Sequence, residues 1–172
     1  MHVAHAIIEH AQRELPAFGF EVQPIGGANE PTQLLVKTVP DYAGRERWVL
    51  LTVYEELGEN LEDAWLVQFF HRFPVEAPAA AQRADFSRLL VAANNKITVG
   101  QFCFREEDAL LYFRAVVIFP AAPESWTKLL TEHLFFSVFQ VDEFGAAIES
   151  VADGSRTLAE AVAADARLGT LV

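Results

Sequence analysis

The sequence predicts an α+β protein in which an antiparallel sheet of about five strands packs against helices. Two observations lead to this fold class. Apolar residues recur at helical spacing in four segments, and short stretches rich in β-branched and aromatic residues lie between them. The strands within each group are joined by only a few residues, which makes successive strands antiparallel neighbours. The predicted order is α-β-β-β-α-β-β-α, followed by a C-terminal tail helix.

The first helix is predicted over residues 3–15, where Ala6, Ile7 and Ala11 repeat at helical spacing. Pro16 ends it, because proline cannot continue the backbone hydrogen bonding of a helix. The next stretch, GFEVQPIGGANEP, holds two prolines and three glycines. That composition is typical of a loop or of a short edge strand.

Three strands are predicted next, over residues 33–39, 46–54 and 64–73, and the turn-forming segments PDYAG and EELGENLED separate them. A helix over residues 79–95 follows. One stripe of this helix is apolar and consists of Phe86, Leu89, Leu90 and Ala93.

A hairpin of two strands is predicted over residues 98–105 and 110–119, with its turn at residues 106–109. In this register Phe102 lies opposite Phe113 and Arg105 lies opposite Leu110. Pro123 suits the first position of a long helix that runs to about Val151. Ser155 is predicted to cap the tail helix. Residues 1–152 are therefore interpreted as one domain, and residues 153–172 as a tail helix packed on or near it.

The hairpin is apolar on both faces. One face is predicted to pack on helices and carries Phe102, Phe104, Leu111, Phe113, Ala115, Val117 and Phe119. The other face carries Cys103, Leu110, Tyr112, Val116 and Ile118, interrupted by Gln101, Arg105 and Arg114. An antiparallel sheet with one face in water alternates cleanly between apolar and polar residues. We therefore expect this second face to be covered, at least in part.

The long helix has more apolar residues than one stripe needs. The stripe predicted to face the core consists of Trp126, Leu129, Leu130, His133, Leu134, Phe136, Val141, Phe144 and Ile148. Phe135 and Phe139 lie roughly opposite this stripe, four residues apart, and form an apolar ridge. Either the tail helix covers the ridge, or the ridge is an interface with another subunit or a peptide.

Composition narrows the functional classes. The chain has 172 residues, 13 Lys and Arg, and a net charge of -11, so binding to nucleic acid through phosphate contacts is not expected. The N-terminus lacks the pattern of a signal peptide, and no apolar run approaches the roughly 20 residues of a membrane span. A cytoplasmic protein without a membrane partner is predicted. The single cysteine, Cys103, is interpreted as a buried structural thiol.

The sequence offers weak candidates for chemistry. His2, His5 and Glu9 have a spacing that could hold a metal. His71 and His133 are interpreted as hydrogen-bonded structural histidines, because no matched nucleophile accompanies either. A frayed terminal turn with solvated histidines is the preferred interpretation of the first group. We therefore predict no catalytic residues, no metal and no cofactor.

The stretch LLVAANNKITVGQFCFREEDALLYFRAVVIF resembles the YbjN family and, more broadly, the type III secretion chaperone-like fold. The resemblance rests on Asn94 or Asn95, the Gly100-Gln101-Phe102 strand and the Tyr112-Phe113-Arg114 strand after an acidic turn. The order of elements and the VDEF sequence near the end of the long helix are also similar. The likeness covers roughly residues 3–150.

This resemblance implies a small, acidic homodimer without enzymatic activity that holds an extended segment of a partner protein. The residues expected at the homodimer or peptide interface are Leu110, Tyr112, Arg114, Val116, Ile118, Phe135 and Phe139. The alternative function is a small-molecule-sensing regulatory module, in which the tail helix covers an aromatic pocket.

Overall fold

A computed structural model describes residues 3–25, 33–54, 64–75 and 78–168 of the chain. The described residues form an α+β fold with a six-stranded sheet, which confirms the predicted fold class. None of the helices in these ranges is long and apolar enough to cross a membrane.

The sheet has one strand more than the five predicted, and its order is β1-β2-β3-β4-β6-β5. The strands are β1 (Glu21–Ile25), β2 (Gln33–Lys37), β3 (Trp48–Tyr54), β4 (Ala64–Arg72), β5 (Gln101–Arg105) and β6 (Leu110–Pro120). The additional strand is β1, in the segment for which a loop or a short edge strand was expected. It lies at the edge of the sheet, where Pro24 is tolerated because an edge strand can lack one N–H group.

Within the described ranges, four α-helices accompany the sheet: α1 (Val3–Glu14), α2 (Arg83–Asn94), α3 (Trp126–Ala152) and α4 (Leu158–Ala164). Short 3₁₀ turns precede α2 and α3, and a third follows α1. The predicted cap of the tail helix was wrong. Thr157 caps α4 in place of Ser155, and its side chain and that of Glu160 bond each other's backbone N–H groups.

The chain divides into two compact units, one formed by Met1–His71 and Ala115–Val138, and one formed by Arg72–Arg114 and Phe139–Val172. In the first unit, Trp126 at the start of α3 donates a hydrogen bond to the carbonyl of Pro120, at 2.7 Å. The His10 ring of α1 contacts the Trp126 ring and lies 2.8 Å from the hydroxyl of Thr127. These contacts fix the start of α3 against α1 and the end of β6.

The core of the second unit is aromatic. Phe102 of β5 lies opposite Phe113 of β6, so the predicted register of the hairpin is confirmed. The Phe102 ring also contacts Phe73 and Phe144, and Phe86 of α2 packs edge-on against Phe104. The helices of this unit therefore pack on the hairpin face that the sequence assigned to the core.

Asn94 and Gly100 fix the connection between α2 and β5. The Asn94 side chain accepts a hydrogen bond from the Phe102 N–H at 2.7 Å and donates one to the Phe102 carbonyl at 2.9 Å. Gly100 adopts a φ of 88°, and a Cβ there would overlap the Phe113 ring and lie 2.8 Å from the Arg114 carbonyl. The sequence motif behind the family resemblance therefore has a structural role in this chain.

Candidate binding surfaces

The outer face of the β5–β6 hairpin is the first candidate surface. The register pairs Gln101 with Arg114, Cys103 with Tyr112, and Arg105 with Leu110, which places all six side chains on the face opposite Phe102 and Phe113. Cys103, Leu110 and Tyr112 are half-buried, and Gln101, Arg105 and Arg114 are exposed. The expectation that Cys103 is a buried thiol was wrong, because it lies on this outer face. We call these six residues the hairpin face.

β6 continues into the first unit with the same alternation of buried and exposed positions. Val116 and Ile118 are 39% and 61% exposed, whereas Ala115 and Phe119 are buried. The two predicted interface residues at the end of β6 are therefore accessible in the single chain.

Arg72 lies beside the hairpin face. The Phe73 N–H donates to the Leu111 carbonyl at 3.0 Å, and both of these side chains are buried. Because side chains alternate along a strand, Arg72 and Tyr112 share the opposite, outer face. The pKa of Asp108 in the hairpin turn is lowered mainly by its hydrogen bonds from Arg105, and the Arg72 charge acts in the same direction.

The arginines of the hairpin face differ in their partners. Arg105 makes two hydrogen bonds to the Asp108 carboxylate, at 2.7 and 2.6 Å, and this bonding is the main cause that lowers the pKa of Asp108. Arg114 makes no ion pair with any residue in the described ranges. It projects from β6, which lies between β4 and β5 in the sheet. Arg114 is thus an exposed cation on an interior strand without a carboxylate partner among the described residues.

Tyr112 lies at the centre of the hairpin face. Burial raises the pKa of its phenol, the neighbouring Cys103 thiol acts in the same direction, and Arg114 partly opposes both effects. Tyr112 therefore stays protonated at neutral pH and presents a neutral, amphipathic ring beside the Arg114 charge.

Both edges of the sheet carry features that oppose the addition of another strand. The edge strand β1 contains Pro24, which has no N–H to donate to a neighbouring strand. On the opposite edge strand, β5, Asn94 already bonds both backbone groups of Phe102. A partner that binds this sheet is therefore expected to lie across a face rather than along an edge.

Helix α3 carries the second candidate surface. Phe135 and Phe139 are 51% and 58% exposed, and we call these two residues the helix ridge. The Phe135 ring packs against Phe20 at a centroid distance of 5.3 Å. Phe136 was predicted to face the core, but it is also partly exposed.

The tail follows a different path from the one that would cover the helix ridge. Leu158 and Ala161 of α4 are buried, and α4 lies against α2. Beyond α4, Arg167 donates to the Glu143 carbonyl at 2.8 Å and lies over the Phe144 ring. Residues 153–168 therefore leave the ridge exposed, so the expectation that the tail covers it is wrong for the described part of the tail.

His71 and Ser137 form the one pair of imidazole and serine hydroxyl groups in contact within the described ranges, at 3.1 Å. Both residues are buried, and the Ser137 hydroxyl also donates to the Leu134 carbonyl. Burial lowers the pKa of His71 to about 3, and the nearby Arg47 guanidinium acts in the same direction. The pair lies in the core, so the hydrogen bond predicted for His71 is confirmed.

His133 is partly buried, and its ring lies 5.8 Å from that of Phe69. Burial lowers its pKa. Of the possible metal ligands at the N-terminus, His2 lies outside the described residues, and His5 contacts Glu9 at 2.7 Å. Within the described ranges no three His, Cys, Asp or Glu side chains converge as a metal site.

A cleft of about 260 Å³ lies between α2 and α4. Its lining contains two charged and three aliphatic residues, which are Asp85, Arg88, Leu158, Ala159 and Val162. No aromatic side chain lines this cleft, so it differs from the aromatic pocket that the small-molecule alternative requires.

Comparisons with known proteins add no family. No protein-family model matches the chain, and no curated protein matches it significantly.

Proposed function

We propose that this chain is a non-enzymatic, chaperone-like protein that acts as a homodimer and holds a peptide segment of a partner. The observation that carries the proposal is the exposure of Phe135 and Phe139 on successive turns of α3. Adjacent exposed aromatic residues are typical of interaction sites, because each leaves a large apolar area in water.

The ridge suits a two-fold symmetric dimer. Closed homodimers use the same patch on both subunits, so a helix that carries phenylalanines four residues apart can pack against its own copy. Phe20 supports the ridge from below, since its ring packs against Phe135. A second copy would therefore contact an apolar surface that is supported by packing within the subunit, rather than two isolated side chains.

The environment of the histidines supports a non-enzymatic role. His71, the histidine bonded to a hydroxyl group, is buried and remains neutral at physiological pH. The resemblance to the YbjN family and the type III secretion chaperone-like fold is consistent with this proposal, and the family assignment is itself part of it. A cytoplasmic location belongs to the same proposal.

Light scattering coupled to size-exclusion chromatography tests the dimer. We expect the wild-type chain to be a dimer at tens of micromolar, with an interface of roughly 1,200 Å² or more. The Phe135→Asp, Phe139→Asp double variant should be a folded monomer, because the substitutions place like charges at the two-fold axis.

A matched control separates this interface from a general effect of added charge. Val39 and Val91 are 57% and 60% exposed, and the Val39→Asp, Val91→Asp variant adds the same charge at exposed valines outside helix α3. This control should stay dimeric. A wild-type chain that is monomeric at tens of micromolar would contradict the proposed dimer.

A further inference from the structure

We infer that the hairpin face, with Arg72 at its margin, binds an extended polypeptide segment that carries apolar and acidic side chains on the same face, two residues apart, and that Arg114 pairs with one of its carboxylates. This inference rests on the proposed protein-binding function and adds the chemistry of the partner. All the residues involved belong to the second compact unit.

The charge of Arg114 carries the first step. The chain has 24 acidic residues and a net charge of -11, yet Arg114 has no acidic partner in the described ranges. The charge of Arg105 is compensated by the Asp108 carboxylate. Arg114 is further from the turn, because it lies four residues beyond Leu110, the residue paired with Arg105. At about 3.3 Å per residue, this spacing separates Arg114 from that end of the hairpin by roughly 13 Å. A carboxylate is the natural partner of such a guanidinium group, since the two can form paired hydrogen bonds.

The apolar residues carry the second step. Tyr112 is two residues from Arg114 on the same face of β6, and Leu110 is two residues further. Cys103 lies opposite Tyr112 on β5. Half-buried Tyr and Leu side chains beside an Arg match the composition of protein interfaces, where Tyr and Arg contribute strongly to affinity. Side chains i and i+2 of an extended segment share one face, so an acidic residue and an apolar residue at this spacing would place a carboxylate on Arg114 and an apolar group on Tyr112.

The sheet edges determine how such a segment binds. Asn94 occupies the backbone groups of Phe102 that point away from β6, so the segment cannot simply extend the sheet at this position. It lies across the hairpin face and is recognised by side chains. The described helices of this unit contact the opposite face through Phe102 and Phe104.

A second copy that docks through the same face is a poorer occupant. A two-fold contact through this face would bring the Arg72 and Arg114 charges of both copies into one interface, and like charges repel. The hairpin face therefore differs in its expected partner from the helix ridge.

Fluorescence anisotropy with labelled 12-residue peptides tests the inference in the full chain. The probes are a peptide that repeats Leu-Ser-Glu-Ser, which places Leu and Glu on one face of an extended chain, its counterpart with Gln in place of Glu, and its counterpart with Lys in place of Glu. We expect the Glu peptide to bind about fivefold to tenfold more tightly than the Gln peptide, and the Lys peptide to bind weakest. The preference should shrink as NaCl rises from 50 to 300 mM, because salt screens exposed charges.

Two arginine variants locate the charge. Arg114→Gln should remove the preference for the Glu peptide over the Gln peptide, and Arg83→Gln should keep it. Arg83 is a suitable control because it is exposed at the start of α2, away from the hairpin face, and loses the same charge. Circular dichroism should show that both variants are folded, because both side chains are exposed.

Several outcomes would overturn the inference. These are equal binding of the Glu and Gln peptides, equal effects of the two arginine variants, and no binding of any peptide. Arg114-dependent binding to phosphatidylserine vesicles that exceeds binding to the Glu peptide would assign the face to lipid. The dimer is judged separately by light scattering. A dimer that binds no peptide refutes the inference alone, and a monomer that binds the Glu peptide refutes the dimer alone.

Discussion

The two faces of the β5–β6 hairpin share one backbone but have opposite surroundings. On the inner face, Phe102 and Phe113 are fully enclosed by aromatic rings of the same unit. On the outer face, Tyr112 is half-buried and Arg114 is exposed, and the contacts of the neighbouring helices are on the inner side. Similar apolar content along a strand therefore stabilises the fold on one face and remains available to a partner on the other.

The largest expected difference between the faces is in stability. Phe113→Ala removes a fully buried ring and should lower the free energy of unfolding by about 3–5 kcal/mol. Tyr112→Ala, its neighbour on the outer face, should cost less than about 1.5 kcal/mol, because a half-buried ring leaves no enclosed cavity. Urea denaturation of both variants measures the difference. Equal losses would mean that the outer face is also part of the core.

Gly100 tests how closely the inner face packs against the chain that enters β5. Gly100→Ala combines an unfavourable positive φ with an overlap on the Phe113 ring, and should cost about 2–4 kcal/mol. Gly44→Ala is the matched control, since Gly44 has a φ of 76° and no atom within 4 Å of an added Cβ. The control should show only the backbone cost of about 1–2 kcal/mol. If the two variants lose the same stability, the contact with Phe113 contributes nothing.

Asn94 sharpens the comparison at the edge of the hairpin. Asn94→Ala removes both side-chain bonds to Phe102 and should lower the free energy of unfolding by about 1–3 kcal/mol. Asn95→Ala provides the adjacent control, because the Asn95 side chain is exposed, and it should cost less than about 0.5 kcal/mol. Thermal or urea unfolding of both variants measures the two losses of stability. A larger effect at Asn95 would refute the role assigned to Asn94.

The smallest predicted effect is a dependence of stability on pH. It arises because His71 of β4 is buried. The pKa of His71 is about 3 in the folded chain and roughly 6.5 in the unfolded chain, so between these values only the unfolded chain binds the proton. Acid therefore favours unfolding, and His71 should contribute a loss of about 1.4 kcal/mol between pH 7.5 and 5.5. This window lies above the usual titration range of carboxylates.

His71→Leu removes the titrating group and should flatten the dependence of stability on pH over that window. Urea midpoints measured at pH 7.5, 6.5 and 5.5 for both proteins test this expectation. An unchanged slope in the variant would mean that other groups, such as His10 and His133, dominate the proton uptake.

Most strands and helices could be predicted from local pattern, because period and turn residues act over a few positions. The alternation within residues 98–119 predicted the hairpin, its register and its core face correctly. The sequence left β1 open between a loop and a short edge strand, since Pro24 and nearby glycines are typical of both. Its pairing with β2 depends on a neighbour in space. The cap of α4 was misassigned for a related reason: Ser155 and Thr157 are both good caps, and the reciprocal bonds with Glu160 favour Thr157.

The candidate surfaces show where sequence information ends. The apolar excess on the outer hairpin face and on α3 was visible in the sequence. The structure shows that Phe135 and Phe139 on α3 are exposed. Local pattern could not show the path of the tail, which follows α2 and Glu143 instead of the ridge. It also could not show that Arg114 lacks an acidic partner among the described residues, because ion pairs depend on which side chains meet in space.

Hydrophobic periodicity was sufficient to predict the α+β class, the hairpin register and the surplus of apolar positions, because it reports which side of each element avoids water. The three-dimensional arrangement was needed to show which apolar positions stay exposed, that Asn94 rather than Asn95 bonds Phe102, and that His71 is enclosed beside Ser137. Burial and hydrogen bonding depend on distances between elements far apart in sequence, and no local pattern encodes those distances.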